Sequence, residues 1–221
     1  LSFKVEYSRT TTPAWLSIPI AAMSQAPQLV SLFAADEIHA RVRQLATEIN
    51  AGYDKASTPH LVSVLKGGFV FLVDLMRALS RPITIDFVAV TSYEAQTYSS
   101  HAPMILKDLE QAITGRDVLV VEDIVDTGRT LSWLLNRLRA GQPRSLRTVA
   151  LLNKPSRRTV SVELDHVGFA IDEQFVVGYG LDYAERYRYL PYIGLLESNE
   201  RQREAPRSNV VRSSTGGSVK P

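Results

Sequence analysis

D-V-L-V-V-E-D-I-V-D-T-G-R-T, residues 117–130, is the stretch that decides the fold of this 221-residue chain. Its apolar run, Val118–Val121, is short and unbroken, as is typical of a strand buried on both faces. Two carboxylates, Glu122 and Asp123, follow where the apolar run stops, and a small hydroxylated loop then leads into a helix. That helix carries leucines on one face: Leu131, Leu134, Leu135 and Leu138. The pattern predicts a site for a phosphorylated sugar with a metal ion.

The composition narrows the class of protein. With 45% hydrophobic and 22% charged residues the chain has the balance of an ordinary globular domain. A net charge of +2 gives no case for a nucleic-acid partner, and no stretch is long and apolar enough to suggest a membrane partner. The chain has no cysteine, which excludes disulfides, thiolate zinc sites and a cysteine nucleophile. This fits a reducing compartment, and we expect a cytoplasmic protein.

Three segments are predicted along the chain. Residues 1–30 form an N-terminal extension that is either disordered or lies upstream of the true start, for which Met23 is our hypothesis. Residues 31–196 form one α/β domain, and residues 197–221, rich in Arg, Ser, Gly and Pro, form a disordered tail.

Strands and helices alternate through the first two-thirds of the domain, which predicts a parallel sheet covered on both faces. Helices are expected around Ile38–Ile49, over Phe69–Leu79 and after Thr130. Strands are expected at Leu61–Leu65, Ile83–Val90, Val118–Val121, Arg147–Leu152, Val167–Ile171, Phe175–Val177 and Tyr192–Leu196. The polar stretch Thr91–Pro103 is a long loop, of the kind that is usually functional or disordered.

Four polar clusters follow predicted strands: Lys66-Gly67-Gly68, Glu122–Thr130, Lys154 and Gly178–Tyr183. Ligands of open parallel sheets bind at the carboxyl ends of the strands, so these clusters are expected to meet. The loop at Thr127–Thr130 can aim backbone N–H groups at a phosphate. Taken singly, each cluster also fits a plain capped turn, a pair of loop acids or a solvated lysine. The chain has no Walker loop and no complete dinucleotide-binding glycine pattern.

The stretch V-V-E-D-I-V-D-T-G-R-T-L, residues 120–131, resembles the phosphoribosyl-pyrophosphate signature of type I phosphoribosyltransferases. V-L-K-G-G-F-V-F at 64–71, L-L-N-K-P-S-R-R at 151–158 and F-V-V-G-Y-G-L-D-Y at 175–183 match as well. Together they resemble the hypoxanthine-guanine phosphoribosyltransferases, most closely the bacterial ones, over roughly Leu32 to Leu196.

The resemblance implies a type I phosphoribosyltransferase fold, a mostly parallel twisted sheet flanked by helices with a small hood from the N- and C-terminal segments. It also implies purine salvage: the 5-phosphoribosyl group moves from phosphoribosyl pyrophosphate to N9 of hypoxanthine or guanine, giving IMP or GMP and pyrophosphate, with Mg²⁺ as cofactor. A homodimer or homotetramer is implied too. Two alternatives stay open, a xanthine-guanine-preferring transferase and a non-catalytic regulator that senses phosphoribosyl pyrophosphate.

The resemblance assigns roles to the opening stretch. Asp126 would be the general acid/base at purine N7, and Glu122 and Asp123 would hold the ribose hydroxyls, partly through magnesium. The 5-phosphate would be bound by Thr127, Gly128, Arg129 and Thr130.

The remaining roles fall on the other motifs. Lys66, Gly67 and Arg188 would bind pyrophosphate, after a cis peptide at Leu65–Lys66. The purine would be bound by Lys154 at its 6-oxo group, by Phe175 through stacking, by Val176 through its backbone, and by Asp182. Asp182 would also ligate a second magnesium, which makes Glu122, Asp123 and Asp182 the metal set.

The predicted lid is where the chain departs from the family. Ser92 and Tyr93 match the lid motif, but the glycines that relatives carry next are replaced by Glu94 and Ala95. Fewer glycines predict a stiffer lid that closes more slowly, with the reaction unchanged.

Overall fold

The computed structural model describes residues 29–90 and 103–196. The predicted tail, nearly all of the N-terminal extension, and the lid residues Ser92 and Tyr93 lie outside the described residues. In the part of the chain that is described, no helix has both the length and the apolar character needed to cross a membrane.

A six-stranded sheet forms the centre of the domain, in the order β4-β3-β2-β5-β6-β7. Its strands are β2 (His60–Leu65), β3 (Thr84–Val90), β4 (Ile105–Lys107), β5 (Asp117–Val125), β6 (Ser145–Asn153) and β7 (His166–Ala170). All neighbours pair in parallel except the edge strand β4, which runs antiparallel to β3. The predicted mostly parallel sheet is confirmed.

Three helices cover the two faces of this sheet: α1 (Ala35–Ala51), α2 (Phe69–Ala78) and α3 (Arg129–Ala140). Side chains alternate along β5, so that Leu119 and Val121 join the core under α1 and α2, while Val118 and Val120 join the core under α3. The four leucines predicted for one face of α3 are all buried. Burial on both faces explains why β5 is an unbroken apolar run.

A small antiparallel sheet forms the hood, in the order β1-β9-β8. Its strands are β1 (Val30–Phe33), β8 (Val176–Val177) and β9 (Ile193–Leu195). It joins the two ends of the domain, since Val30 pairs with Leu195. The predicted hood is confirmed, although β1 and the edge strand β4 were not predicted as strands.

The predicted end of the central strand at Val121 is wrong. Strand β5 continues to Val125, because pairing with β6 persists from Glu122, opposite Ala150, to Val125, opposite Asn153. Glu122 and Asp123 therefore lie within the strand and not in the loop after it.

Candidate active site

One cavity of about 470 Å³ lies at the carboxyl ends of β2, β5 and β6, below the hood. The predicted residues that line it are Lys66, Gly67, Glu122, Asp123, Asp126, Thr130, Lys154, Phe175, Val176, Asp182 and Arg188. The four polar clusters that are separate in the sequence thus face one space. A smaller cavity of about 120 Å³ adjoins it, lined by Thr127, Gly128 and neighbours.

The charged forms of the two adjacent acids on β5, Glu122 and Asp123, are destabilised by their surroundings. Burial, with the neighbouring Asp123 charge second, raises the pKa of the Glu122 carboxyl well above its ordinary value. Burial also raises the pKa of Asp123 to about 6, although backbone N–H groups and Arg188 oppose the rise. Two crowded, desolvated carboxylates favour a cation or hydroxyl donors as partners.

The loop from Asp126 to Gly128 lines the smaller cavity. Gly128 has φ +82°, and a Cβ atom there would lie 2.6 Å from the carbonyl oxygen of Val160. This position therefore needs glycine in both conformation and space. The residue is also the N-cap of α3, so the first free N–H groups of that helix border the cavity. The Arg129 side chain donates from Nε to Thr159 Oγ1 at 3.2 Å.

Lys154 and Asp126 face each other within the larger cavity. Lys154 is 7% exposed, and its Nζ lies 3.6 Å from Asp126 Oδ2. Its backbone N–H donates to the carbonyl of Val125 at 3.0 Å, which fixes the segment after β6 against the end of β5. Phe175 packs edge-on against Tyr183, with ring centroids 5.5 Å apart, and Val176 pairs with Leu195 in the hood.

Cations and acids interleave on the opposite side of the cavity. Lys66 Nζ lies 2.9 Å from Glu185 Oε2. The peptide bond that joins Leu65 to Lys66 is cis. Arg188 Nη2 lies 2.7 Å from Asp182 Oδ1, while its Nη1 donates to the carbonyl of Gly180. Its buried Nε has no hydrogen-bond partner among the described residues. An unsatisfied guanidinium N–H suits an anionic ligand.

Several residues at the site had no predicted role. Ile124 lines the cavity from between the acids, and Glu185 pairs with Lys66. Arg157 contacts the carboxylate of Asp126, and Arg158 donates to its main-chain carbonyl. The sequence contained a hint that Arg157 and Arg158 belong to the site, because they are the last two residues of the motif L-L-N-K-P-S-R-R. It does not show what they contact.

Comparison with known proteins identifies the family. The model of the phosphoribosyl transferase domain matches residues 31–184. The hypoxanthine-guanine phosphoribosyltransferase of Mycobacterium avium is 50% identical over 171 residues, covering 75% of this chain and 84% of the relative. The chain belongs to the hypoxanthine-guanine phosphoribosyltransferase family. The resemblance predicted from the motifs is thereby confirmed, and with it the type I fold and the class of enzyme.

Two further relatives support the phosphoribosyltransferase assignment. The Bacillus subtilis hypoxanthine-guanine phosphoribosyltransferase is 44% identical over 166 residues, covering 75% of this chain and 92% of the relative. The crystal structure of the Bacillus anthracis hypoxanthine-guanine phosphoribosyltransferase has a TM-score of 0.71 and 40% identity, covering 76% of this chain and 98% of that one.

Proposed function

We propose that this phosphoribosyltransferase moves the 5-phosphoribosyl group of phosphoribosyl pyrophosphate to N9 of hypoxanthine or guanine, releasing pyrophosphate and IMP or GMP. The observation that carries the proposal is the pairing of Lys154 Nζ with Asp126 Oδ2 at 3.6 Å, in the cavity that also contains the acid pair. A 6-oxopurine presents O6 and N7 side by side on one edge. An ammonium beside a carboxylate matches that edge when N7 carries a proton, because the ammonium donates to O6 and the carboxylate accepts from N7–H.

Different residues of the site would bind different parts of phosphoribosyl pyrophosphate. The loop of Thr127, Gly128, Arg129 and Thr130 would bind the 5-phosphate through N–H groups at the start of α3. Glu122 and Asp123 would accept hydrogen bonds from the ribose hydroxyls. Lys66, Gly67 and Arg188 would bind the pyrophosphate, with Glu185 and Asp182 released from those cations as it enters.

Asp126 would act as the general acid/base. Bond formation at N9 leaves the purine with a surplus proton, and Asp126 would accept it from N7. Lys154 would donate to O6, and Phe175 would stack on the ring. Adenine carries an amino group in place of O6, so it would place a hydrogen-bond donor against the buried ammonium of Lys154, and it is expected to be excluded.

The carboxylates present fit magnesium. Among the described residues, no cluster of three or more His, Asp or Glu could hold a metal by itself. Magnesium commonly binds through one or two carboxylates, with water and substrate oxygens completing its shell. Glu122 and Asp123 would hold one ion and Asp182 a second. Bound magnesium would supply neutralisation of the charge on the departing pyrophosphate.

A homodimer or homotetramer is proposed as well. The support lies in a groove of about 420 Å³ next to the site, lined by His39, Phe69, Tyr189 and neighbouring residues. Phe69 is 42% and Tyr189 74% exposed, and both rings line the same groove, so they form one exposed patch of the kind that marks interaction sites. Sedimentation equilibrium would show a monomer if this proposal is wrong.

One assay tests the proposed reaction. The protein is incubated with phosphoribosyl pyrophosphate, Mg²⁺ and one of four bases, hypoxanthine, guanine, xanthine or adenine, and nucleotide formation is followed by chromatography, with EDTA as the metal-free control. We expect IMP and GMP, little xanthine nucleotide and no AMP. A preference for xanthine would support the xanthine-guanine alternative, and no product from any base would support the donor-sensing alternative.

A further inference from the structure

The two carboxylate oxygens of Asp126 face two different cations. Oδ2 lies 3.6 Å from Lys154 Nζ, and Oδ1 lies 3.1 Å from Arg157 Nε. Both cations come from one short segment, the end of β6 and the 3₁₀ turn Pro155–Arg157 that follows it. The Arg157 N–H donates to the carbonyl of Lys154 at 3.2 Å, so the turn sets the spacing of the two cations.

Arg157 is held from its far side as well. Its Nη1 lies 2.5 Å from Glu173 Oε1, two residues before Phe175. The guanidinium therefore bridges Asp126, at the end of β5, to the segment that leads to Phe175 and into β8. Arg157 and Asp126 are 38% and 37% exposed, so this charge-assisted contact is partly shielded from water.

Arg158 has a different task, although it is adjacent. Its Nη1 donates to the main-chain carbonyl of Asp126 at 2.6 Å, and its Nη2 donates to Asn153 Oδ1. It anchors the backbone of the loop and leaves the carboxylate free to rotate. Orientation of the Asp126 carboxylate thus depends on Lys154 and Arg157.

We propose that Arg157 is a positioning residue for Asp126. By occupying Oδ1 it leaves Oδ2, the oxygen beside Lys154, as the one presented to purine N7. Without Arg157, either carboxylate oxygen of Asp126 can pair with Lys154. That pairing draws the Lys154 ammonium away from O6. This inference rests on the proposed function, since it assigns Asp126 the proton at N7.

The test is a double-mutant cycle of Arg157→Gln and Asp126→Asn, with rapid-quench measurement of IMP formation under single-turnover conditions. We expect Arg157→Gln to lower the single-turnover rate constant about tenfold, in the range of a misplaced acid/base. In steady-state assays it is expected to change the KM of phosphoribosyl pyrophosphate less than about twofold. In the Asp126→Asn background, Arg157→Gln is expected to have no further effect, because the group that it positions is gone.

Arg137→Gln is the matched control, since Arg137 pairs with Asp108 in a half-exposed ion pair and neither residue lines the cavities of the site. Its single-turnover rate constant is expected to equal that of the unchanged chain. Equal losses from Arg157→Gln in both backgrounds, or a loss matched by a fall in Tm, would show a structural role and overturn the inference. An active chain with an unaffected Arg157→Gln variant would overturn the inference alone. A chain that forms no nucleotide would overturn the proposed function and the inference together.

Discussion

Gly67 lies directly against the carboxylate of Asp123: a Cβ atom at position 67 would stand 1.6 Å from Asp123 Oδ2. The contact is possible because β2 and β5 are parallel neighbours, with Ser63 opposite Val121, so that the turn after β2 reaches the acids on β5. The turn proposed to bind pyrophosphate and the acids proposed to bind ribose are therefore in van der Waals contact.

Gly67→Ala should impair the enzyme through this contact. The added methyl group must displace Asp123 or the turn that carries Lys66, and misplacement of binding groups by about 1 Å can cost up to roughly 100-fold in rate. We expect kcat/KM for phosphoribosyl pyrophosphate to fall at least about tenfold. The control is Gly115→Ala, at the opposite end of β5, where φ is +70° and the methyl group meets nothing within 4 Å. It should lower stability and leave kcat/KM unchanged; equal kinetic loss in both variants would contradict the prediction.

Lys154→Gln should weaken the choice of base. Loss of a buried, charge-assisted hydrogen bond to O6 is expected to lower kcat/KM for hypoxanthine roughly 100-fold, while donor binding changes little. The ratio of hypoxanthine to adenine turnover is the decisive measurement. Lys55→Gln provides a matched control, because Lys55 is exposed before β2 begins. If Lys154→Gln leaves the ratio of the two turnovers unchanged, Lys154 does not read O6.

Asp117→Asn should reduce the stability of the fold in a pH-dependent way. Asp117 accepts hydrogen bonds from Arg144, Ser145 and Ser57, chiefly from Arg144, and these hold its pKa well below the ordinary 3.8. A lowered folded-state pKa stabilises the fold above pH ~4, and this stabilisation is lost as the pH falls below that value. Because Arg144 is 62% exposed, screening limits its share, and we expect a loss of about 1–2 kcal/mol at pH 7.

Urea unfolding followed by circular dichroism at pH 7 and pH 3 checks this prediction. The difference between Asp117→Asn and the unchanged chain should shrink at pH 3. Asp108→Asn is the control, since Asp108 and Arg137 form a half-exposed pair that contributes little. Equal destabilisation by the two variants would count against the buried network.

His60→Gln should flatten the stability profile of the enzyme between pH 7 and pH 5. His60 is fully buried, its Nδ1 lies 2.8 Å from Thr84 Oγ1, and burial, with Arg116 second, lowers its pKa below the ordinary 6.5. The unfolded chain therefore binds a proton before the folded one, so stability contributed by neutral His60 is lost as the pH falls below about 6.5. The Glu122–Asp123 pair is common to both proteins and cancels in the comparison. Thermal unfolding at the two pH values checks this prediction. If Tm falls as steeply between pH 7 and pH 5 in His60→Gln as in the unchanged chain, the prediction is wrong.

Local pattern was enough to predict the helices and the long parallel strands. The apolar spacing of α1 and α3 and the unbroken run of β5 are properties of neighbouring residues, and all of these elements are present. The short strands β1 and β4 were missed because pairing defines them. Val30 is a strand residue only because Leu195, 165 positions later, lies beside it. The same reason extends β5 through Glu122 and Asp123, where polarity suggested an end.

The motifs by themselves were enough to predict the family and the reaction class, because together they resemble those of known phosphoribosyltransferases; the roles of the site residues stay predictions. Only the tertiary structure decided which of these groups touch. Three such contacts join residues far apart in the chain: Gly67 with Asp123, Arg157 with Asp126, and Lys66 with Glu185. Such contacts depend on strand order and register, which a short motif does not encode.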